Sequence, residues 1–194
     1  CISLCGFSGE CSQIRERVLR LHVLANSDSE EDQQLKLKVR DTVVETAAGL
    51  FDTVTDKDGA IAQAEQMLPQ IVAAAQQRVY DEGYDYVVEA ELCHMYFTTR
   101  EYETVTLPAG MYDALRITIG EGAGRNWWCV VFPPMCVSAA TESAELADVL
   151  DEEQVEIVTE PQQYEVRFKV VEIFEGIAHQ LRTWFSGDDT TAIE

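Results

Sequence analysis

The chain has 194 residues, 46% hydrophobic and 25% charged, with 14 Lys+Arg against 35 Asp+Glu and a formal net charge of −21. A chain of this length buries roughly 70% of its unfolded surface and needs neither metal nor disulfides to fold. Its charge argues against nucleic-acid binding and against adsorption to anionic membranes, and no run of about 18 apolar residues is present to span a bilayer. Along the chain, residues 1–12 are rich in Gly, Ser and Cys and are expected to form an irregular leader. Leu19 to Ala25 alternates well enough for a short strand. Asn26-Ser27-Asp28-Ser29-Glu30-Glu31-Asp32 is a helix-start signal: Ser27 with Glu30, or Ser29 with Asp32, approximates a capping box. Leu35, Val39, Val43, Ala47 and Leu50 then mark the buried stripe of a helix.

A turn is expected at Asp56-Lys57-Asp58-Gly59, followed by a second helix with Ile61, Ala64, Leu68, Ile71, Ala75 and Val79 at helical spacing. Pro69 should kink or restart it, and Gly83 should cap it. Tyr84 to Thr99 reads as a long strand, and Leu107-Pro108-Ala109-Gly110 as a turn into a third strand, Ala114 to Gly120. The loop Gly120-Glu121-Gly122-Ala123-Gly124 lacks the Lys-Ser/Thr of a phosphate cradle and opens no helix, so it reads as a hairpin bend. It leads into Asn126-Trp127-Trp128-Cys129 and on to Pro133-Pro134-Met135-Cys136. Residues 138–160 are acidic and are expected to hold a short helix and a loose loop. After Pro161, Tyr164, Phe168, Val171, Phe174, Ala178, Leu181 and Phe185 form one stripe, widened by Val166, Val170, Ile173 and Ile177, so this helix is expected to be largely buried.

These elements predict an α+β fold: a small, mostly antiparallel sheet of about three to four strands packed against several α-helices. The expected organisation is a leader over 1–13, one domain over 14–185 and a polar tail over 186–194. The first 40 residues are neutral, so the whole −21 lies beyond them. From Asn126 to Val166 there are nine Asp/Glu and no Lys or Arg, which reads as a solvated face or as a surface for a basic partner.

Six cysteines raise the question of compartment. Cys129 and Cys136 are seven apart across two prolines, which can turn the chain back and bring the sulfurs within disulfide range. Cys5 and Cys11 could close a second loop, and Cys93 reads as a buried thiol on its strand. Reduced cysteines in a cytosolic core are the alternative. The cysteines and the three scattered histidines fit no zinc spacing, and no cofactor is expected. Because the chain begins at Cys1, an export or anchor segment is expected to have been removed.

No catalytic arrangement stands out. Cys93 and His94 are neighbours on a predicted strand and point to opposite faces; GxSxG and HExxH are absent. The pair Trp127-Trp128 is either core filling or an exposed anchor for a protein partner, and stacking on a sugar would look the same.

Two segments resemble the signatures of a known family. One is Arg20-Leu21-His22-Val23-Leu24-Ala25-Asn26-Ser27-Asp28-Ser29, then Asp32-Gln33, Leu35-Lys36 and Val39-Arg40-Asp41. The other runs from Leu107-Pro108-Ala109-Gly110 through Tyr112, Ala114-Leu115-Arg116, Ile119-Gly120, Gly122 and Gly124 to Asn126-Trp127-Trp128-Cys129 and Phe132-Pro133-Pro134-Met135-Cys136. Both resemble stage II sporulation protein R. The resemblance implies a non-enzymatic signal of endospore formation, secreted from the forespore into the intermembrane space facing the mother cell. Its implied partner is a membrane-embedded aspartic protease that cleaves pro-sigma-E, with no nucleic acid and no small-molecule substrate. The alternative is a secreted cell-wall hydrolase or glycan-binding module that uses Trp127 and Trp128. Candidate receptor contacts are Trp127, Trp128, Phe132, Pro133 and Pro134. Asn26, Ser27, Asp28, Ser29 and Asp32 are candidates either for helix capping or for receptor contact.

Overall fold

The computed structural model describes residues 4–47, 54–102, 105–133 and 149–186. It has the expected α+β architecture, arranged as two compact units that interleave in sequence. One unit comprises Val18–Cys93 and Asp113–Thr141; the other comprises Cys1–Arg17, His94–Tyr112 and Glu142–Glu194.

The first of these units is built on a four-stranded sheet. Its strands are β1 (Leu19–Leu24), β2 (Val88–Phe97), β5 (Gly110–Ile119) and β6 (Asn126–Phe132), in the order β2-β5-β1-β6; β2 and β5 run on into the other unit. The sheet is mixed: β1 pairs parallel with β5 and antiparallel with β6. Every residue of β1 is buried, as befits a central strand. Against the sheet lie α2 (Glu30–Ala47) and α3 (Lys57–Asp81). Leu35, Val39, Val43 and Ala47 of α2 are buried at the expected spacing.

Helix α3 corrects two expectations. The segment Asp56–Gly59 is not a separate turn: Asp56 is the N-cap, its carboxylate accepting from the Gly59 N–H at 2.8 Å. Nor does Pro69 restart the helix, which runs unbroken through it from Lys57 to Asp81, 25 residues in all. Pro69 and Glu65, whose carbonyl loses its partner, both lie on the exposed side, where water can replace the missing bond. Gly83 ends α3 at φ +84°, as expected of a helix-terminating glycine.

The second unit opens with α1 (Leu4–Arg17), where the sequence suggested an irregular leader. Phe7, Cys11 and Ile14, spaced four and three apart, are fully buried, and this apolar stripe outweighs the Gly and Ser between them. Phe7 stacks on Tyr164 with centroids 5.5 Å apart and meets Phe168 edge-on at 5.2 Å. Arg15 donates to the Ala109 carbonyl and pairs with Glu175, each at 2.9 Å. The two short strands β3 (Arg100–Glu101) and β4 (Thr106–Leu107) pair antiparallel. Next come α4 (Glu152–Thr159), with a full capping box between Asp151 and Gln154, and α5 (Glu165–Ser186).

Helix α5 overturns the expectation of burial. Tyr164, just ahead of it, and Phe168 and Val171 within it are buried. Val166, Ile173, Phe174, Ile177, Leu181, Trp184 and Phe185 are exposed. Only the first two turns pack: Phe174, Leu181 and Phe185 belong to the same stripe as Phe168 and Val171, yet they are exposed along with the neighbouring stripe.

Candidate functional site

The order of the strands brings the two signature segments together. Because β1 lies between β5 and β6, the chain leaving Ile119 must cross the C-terminal end of β1 before entering β6 at Asn126. The glycine segment 120–125 is that crossing. It is not the hairpin that its composition suggests, because β5 and β6 are not neighbours. It meets the chain just as Asn26-Ser27-Asp28-Ser29 leaves β1 for α2.

Backbone groups hold the crossing down. The Gly124 N–H donates to the Ala25 carbonyl at 3.0 Å and the Ala123 N–H to the Asn26 carbonyl at 3.2 Å. The Glu121 N–H donates to Asn26 Oδ1 at 3.0 Å, and the Arg125 N–H to Asp28 Oδ1 at 2.7 Å. Lys36, a buried lysine on α2, donates from Nζ to the Arg125 carbonyl and to Gln33 Oε1, both at 2.7 Å. Burial and the nearby Arg125 charge lower the Lys36 pKa.

The glycines follow from this closeness. Gly120 and Gly122 sit at φ +59° and +61°, the left-handed region that L side chains rarely adopt. At Gly124 a Cβ would overlap the Ser27 carbonyl oxygen, and at Gly120 it would overlap the Asn26 carboxamide.

Asp32 is the hub on the other side. It is the third residue of α2, and its N–H donates to Ser29 Oγ at 3.1 Å, so Ser29 caps the helix as the sequence suggested. Its carboxylate does not close the box onto Ser29. It accepts from Ser27 Oγ at 2.6 Å and from Asn26 Nδ2 at 2.9 Å, with Tyr86 as a further donor. Burial alone would raise the Asp32 pKa, but these hydrogen bonds outweigh it and hold the carboxyl below its ordinary value. Asn26, Ser27, Asp28, Ser29 and Asp32 thus form one network, in which each side chain has a structural task. Gln33 joins it, donating to the Ser27 carbonyl at 2.9 Å.

The tryptophans continue from this corner. Adjacent residues on β6 face opposite ways. Trp127 turns to the side where Arg40 of α2 lies over its ring, 4.3 Å from the centroid. Trp128 stacks on His22 of β1, with centroids 3.9 Å apart and planes within 10°. Both tryptophans are half-buried; neither is a core residue. His22 is buried, and its Nε2 lies 2.8 Å from Asn126 Oδ1. Its pKa is lowered to about 4, chiefly by burial, with Arg116, Arg20 and Lys36 adding to the shift and the Asn126 bond opposing it. Phe132, at the end of β6, is buried; Pro133 follows it, and Pro134 lies outside the described residues.

Sequence reasoning did not single out His22, Lys36, Arg40 or Asn126 as site residues. All four sit inside the signature segments, but their roles appear only when those segments meet.

Cys5, Cys11 and Cys93 are free thiols. The suggested loop between Cys5 and Cys11 is therefore corrected: both lie on α1, six residues apart and on different faces, beyond disulfide reach. Burial raises the pKa of Cys11 to about 12. Cys129 is buried on β6, and Cys136 lies outside the described residues. Among the described residues no group of His, Cys, Asp and Glu could hold a metal ion, and no helix is long and apolar enough to cross a membrane.

Residues 15–142 match the family model described as Stage II sporulation protein R, a stretch that holds both signature segments. The protein named Stage II sporulation protein R from Bacillus subtilis (strain 168) is 39% identical over 123 residues, covering 63% of this chain and 55% of that protein. The chain thus spans about half the length of this curated relative. No solved structure matches it. With the family model covering well over half of the chain, and with its two signature segments folded into one corner, the protein belongs to the Stage II sporulation protein R family.

Proposed function

We propose that this protein is a secreted, non-enzymatic signal of endospore formation. It is exported from the forespore into the intermembrane space. There it activates a membrane-embedded aspartic protease, which processes pro-sigma-E in the mother cell. Family membership carries this reading. A ligand of this kind works by binding the active form of its receptor more tightly than the inactive form, since equal affinity shifts nothing. The receptor-contact surface is the exposed part of Trp127 and Trp128; Phe132 and Pro133, candidates from the sequence, are buried and drop out of it, and Pro134 lies outside the described residues. Its support is two large, half-exposed aromatics on a strand anchored by the crossing loop, an arrangement that loses little entropy on binding.

Co-expression of the protein with the protease and pro-sigma-E tests both statements. Cleavage should require this protein. Trp128→Ala removes the ring stacked on buried His22 and should cost about 2–3 kcal/mol of stability. Trp127→Ala forfeits the Arg40 cation–π contact and the buried half of the ring, should cost about 2 kcal/mol while leaving the protein folded, and should abolish cleavage. If both variants merely unfold, or both still support cleavage, the surface lies elsewhere; if cleavage never depends on the protein, the function is wrong.

Cys129 and Cys136 are proposed to pair in the exported protein, shaping the Pro133-Pro134 loop and contributing about 2–3 kcal/mol by loop closure. Alkylation of the folded, oxidised protein should leave these two thiols unmodified. Labelling at either position would count against the pairing.

A further inference from the structure

The exposed stripe of α5 has no counterpart in the signalling argument. Val166, Val170, Ile173, Ile177, Leu181 and Trp184 follow one another at spacings of four, three, four, four and three, on one side of the helix. The side chains that enter the core, Phe168 and Val171, point elsewhere. From Val166 to Phe185 the stripe is about 28 Å long at 1.5 Å per residue.

Its size is informative. Phe174, Trp184 and Phe185 are 67%, 77% and 79% exposed. At about 150–250 Å² per aromatic side chain, these three alone present roughly 300–550 Å². Trp184 lies on the seam with Val166, Ile173, Ile177 and Leu181, while Phe174 and Phe185 flank it, about 70–90° round the helix. The total approaches the ~800 Å² that each partner contributes to a standard protein interface, and it exceeds the patch of a few hundred Å² that is usual on a monomer.

The chemistry of the stripe selects its occupant. A seam of Val166, Val170, Ile173 and Ile177 at alternating four and three spacing is the pattern by which one helix interlocks with another, and β-branched residues suit it. A helix built to lie on lipid would have a polar face dominated by Lys and Arg. Here α5 carries Glu165, Glu172 and Glu175 against Arg167, Lys169 and Arg182, so the helix is neutral within a chain of −21. A neutral, apolar strip is the place where a second chain of the same strong charge can approach with the least repulsion.

We propose that α5 pairs with α5 of a second copy, so that the protein self-associates into a two-fold dimer through this seam. Multi-angle light scattering on the 194-residue chain over about 1–100 µM tests it. The mass should rise with concentration from 21.8 kDa toward twice that value. Added salt should tighten the dimer, because it screens the repulsion between two chains of −21. Ile177 and Trp184 are exposed, so Ile177→Glu and Trp184→Glu should leave thermal unfolding of the monomer unchanged. Each should weaken the dimer about 100-fold or more by placing an unpaired charge in the seam. A wild-type chain that stays monomeric throughout overturns the proposal, as does a dimer that survives both substitutions. Flotation of a monomeric wild type with phosphatidylcholine vesicles, lost in both variants, would assign the stripe to lipid and overturn it too.

Discussion

Gly124→Ala should be among the most damaging single-methyl additions in the protein, destabilising it by about 3 kcal/mol or more. The added Cβ would overlap the Ser27 carbonyl oxygen, and the Ala25 side chain stands close on another side. Overpacking of this kind typically costs about 1–3 kcal/mol where side chains can yield. Here the obstacle is backbone, in a segment fixed by the Gly124 N–H bond to Ala25 and the Ala123 N–H bond to Asn26. To make room, the crossing must lift off the end of β1. Lifting it would break those bonds, release the Arg125 N–H from Asp28, and free the chain that leads into Trp127 and Trp128. The control is Gly9→Ala. Gly9 lies on α1 with open space where its Cβ would go, so alanine there should stabilise by about 0.5–1 kcal/mol through helix propensity alone. Denaturant unfolding of the two variants gives the comparison. A Gly124→Ala protein within about 0.5 kcal/mol of wild type would show that the crossing yields freely.

That contrast also shows where sequence reading works and where it stops. Helices α2 and α3 were legible because Leu35, Val39, Val43 and Ala47, and likewise Ala64, Ile71, Ala75 and Val79, repeat at helical spacing and have one face to bury. In α5 the period was equally clear, but period identifies a helix without saying how far along it the core extends, and Phe174 and Phe185 of the stripe that holds Phe168 are exposed. The core took Phe168 and Val171 and left Ile173, Ile177 and Trp184 outside. In α1 the signal was present in Phe7, Cys11 and Ile14, yet the Gly and Ser between them looked like loop composition. The glycine crossing was misread for a topological reason. Two strands joined by a short glycine loop are usually neighbours, and nothing local reveals that β1, some ninety residues earlier in the chain, is inserted between them. For the same reason, Asn26 to Asp32 was legible as a helix cap but not as the clamp on the loop that enters β6.

Acid should expose the second large term, which resides in His22. In the unfolded chain this histidine titrates near 6.5, whereas in the folded protein its pKa is lowered to about 4. The first cause is burial, which removes the imidazolium from water; the Arg116, Arg20 and Lys36 charges add to it, against the opposing hydrogen bond with Asn126. Between these two pH values the unfolded chain binds a proton that the folded chain does not. The stability owed to neutral His22 is therefore complete above about pH 6.5 and drains away as the pH falls through 4, amounting to about 3 kcal/mol at full extent. Asp32 has a depressed pKa, and its contribution is lost only at lower pH, as the medium falls below the ordinary carboxylate range near ~4. The two windows are thus separable. His22→Gln should lower stability at pH 7, because the ring stacked on Trp128 is gone, yet it should flatten the loss between pH 6.5 and 4.5. His94 and His179 are unchanged in that variant, so the difference between the two stability–pH curves belongs to His22. Parallel curves across that interval would mean that His22 is protonated in the folded protein without cost. The stack with Trp128 would then have to accommodate an imidazolium.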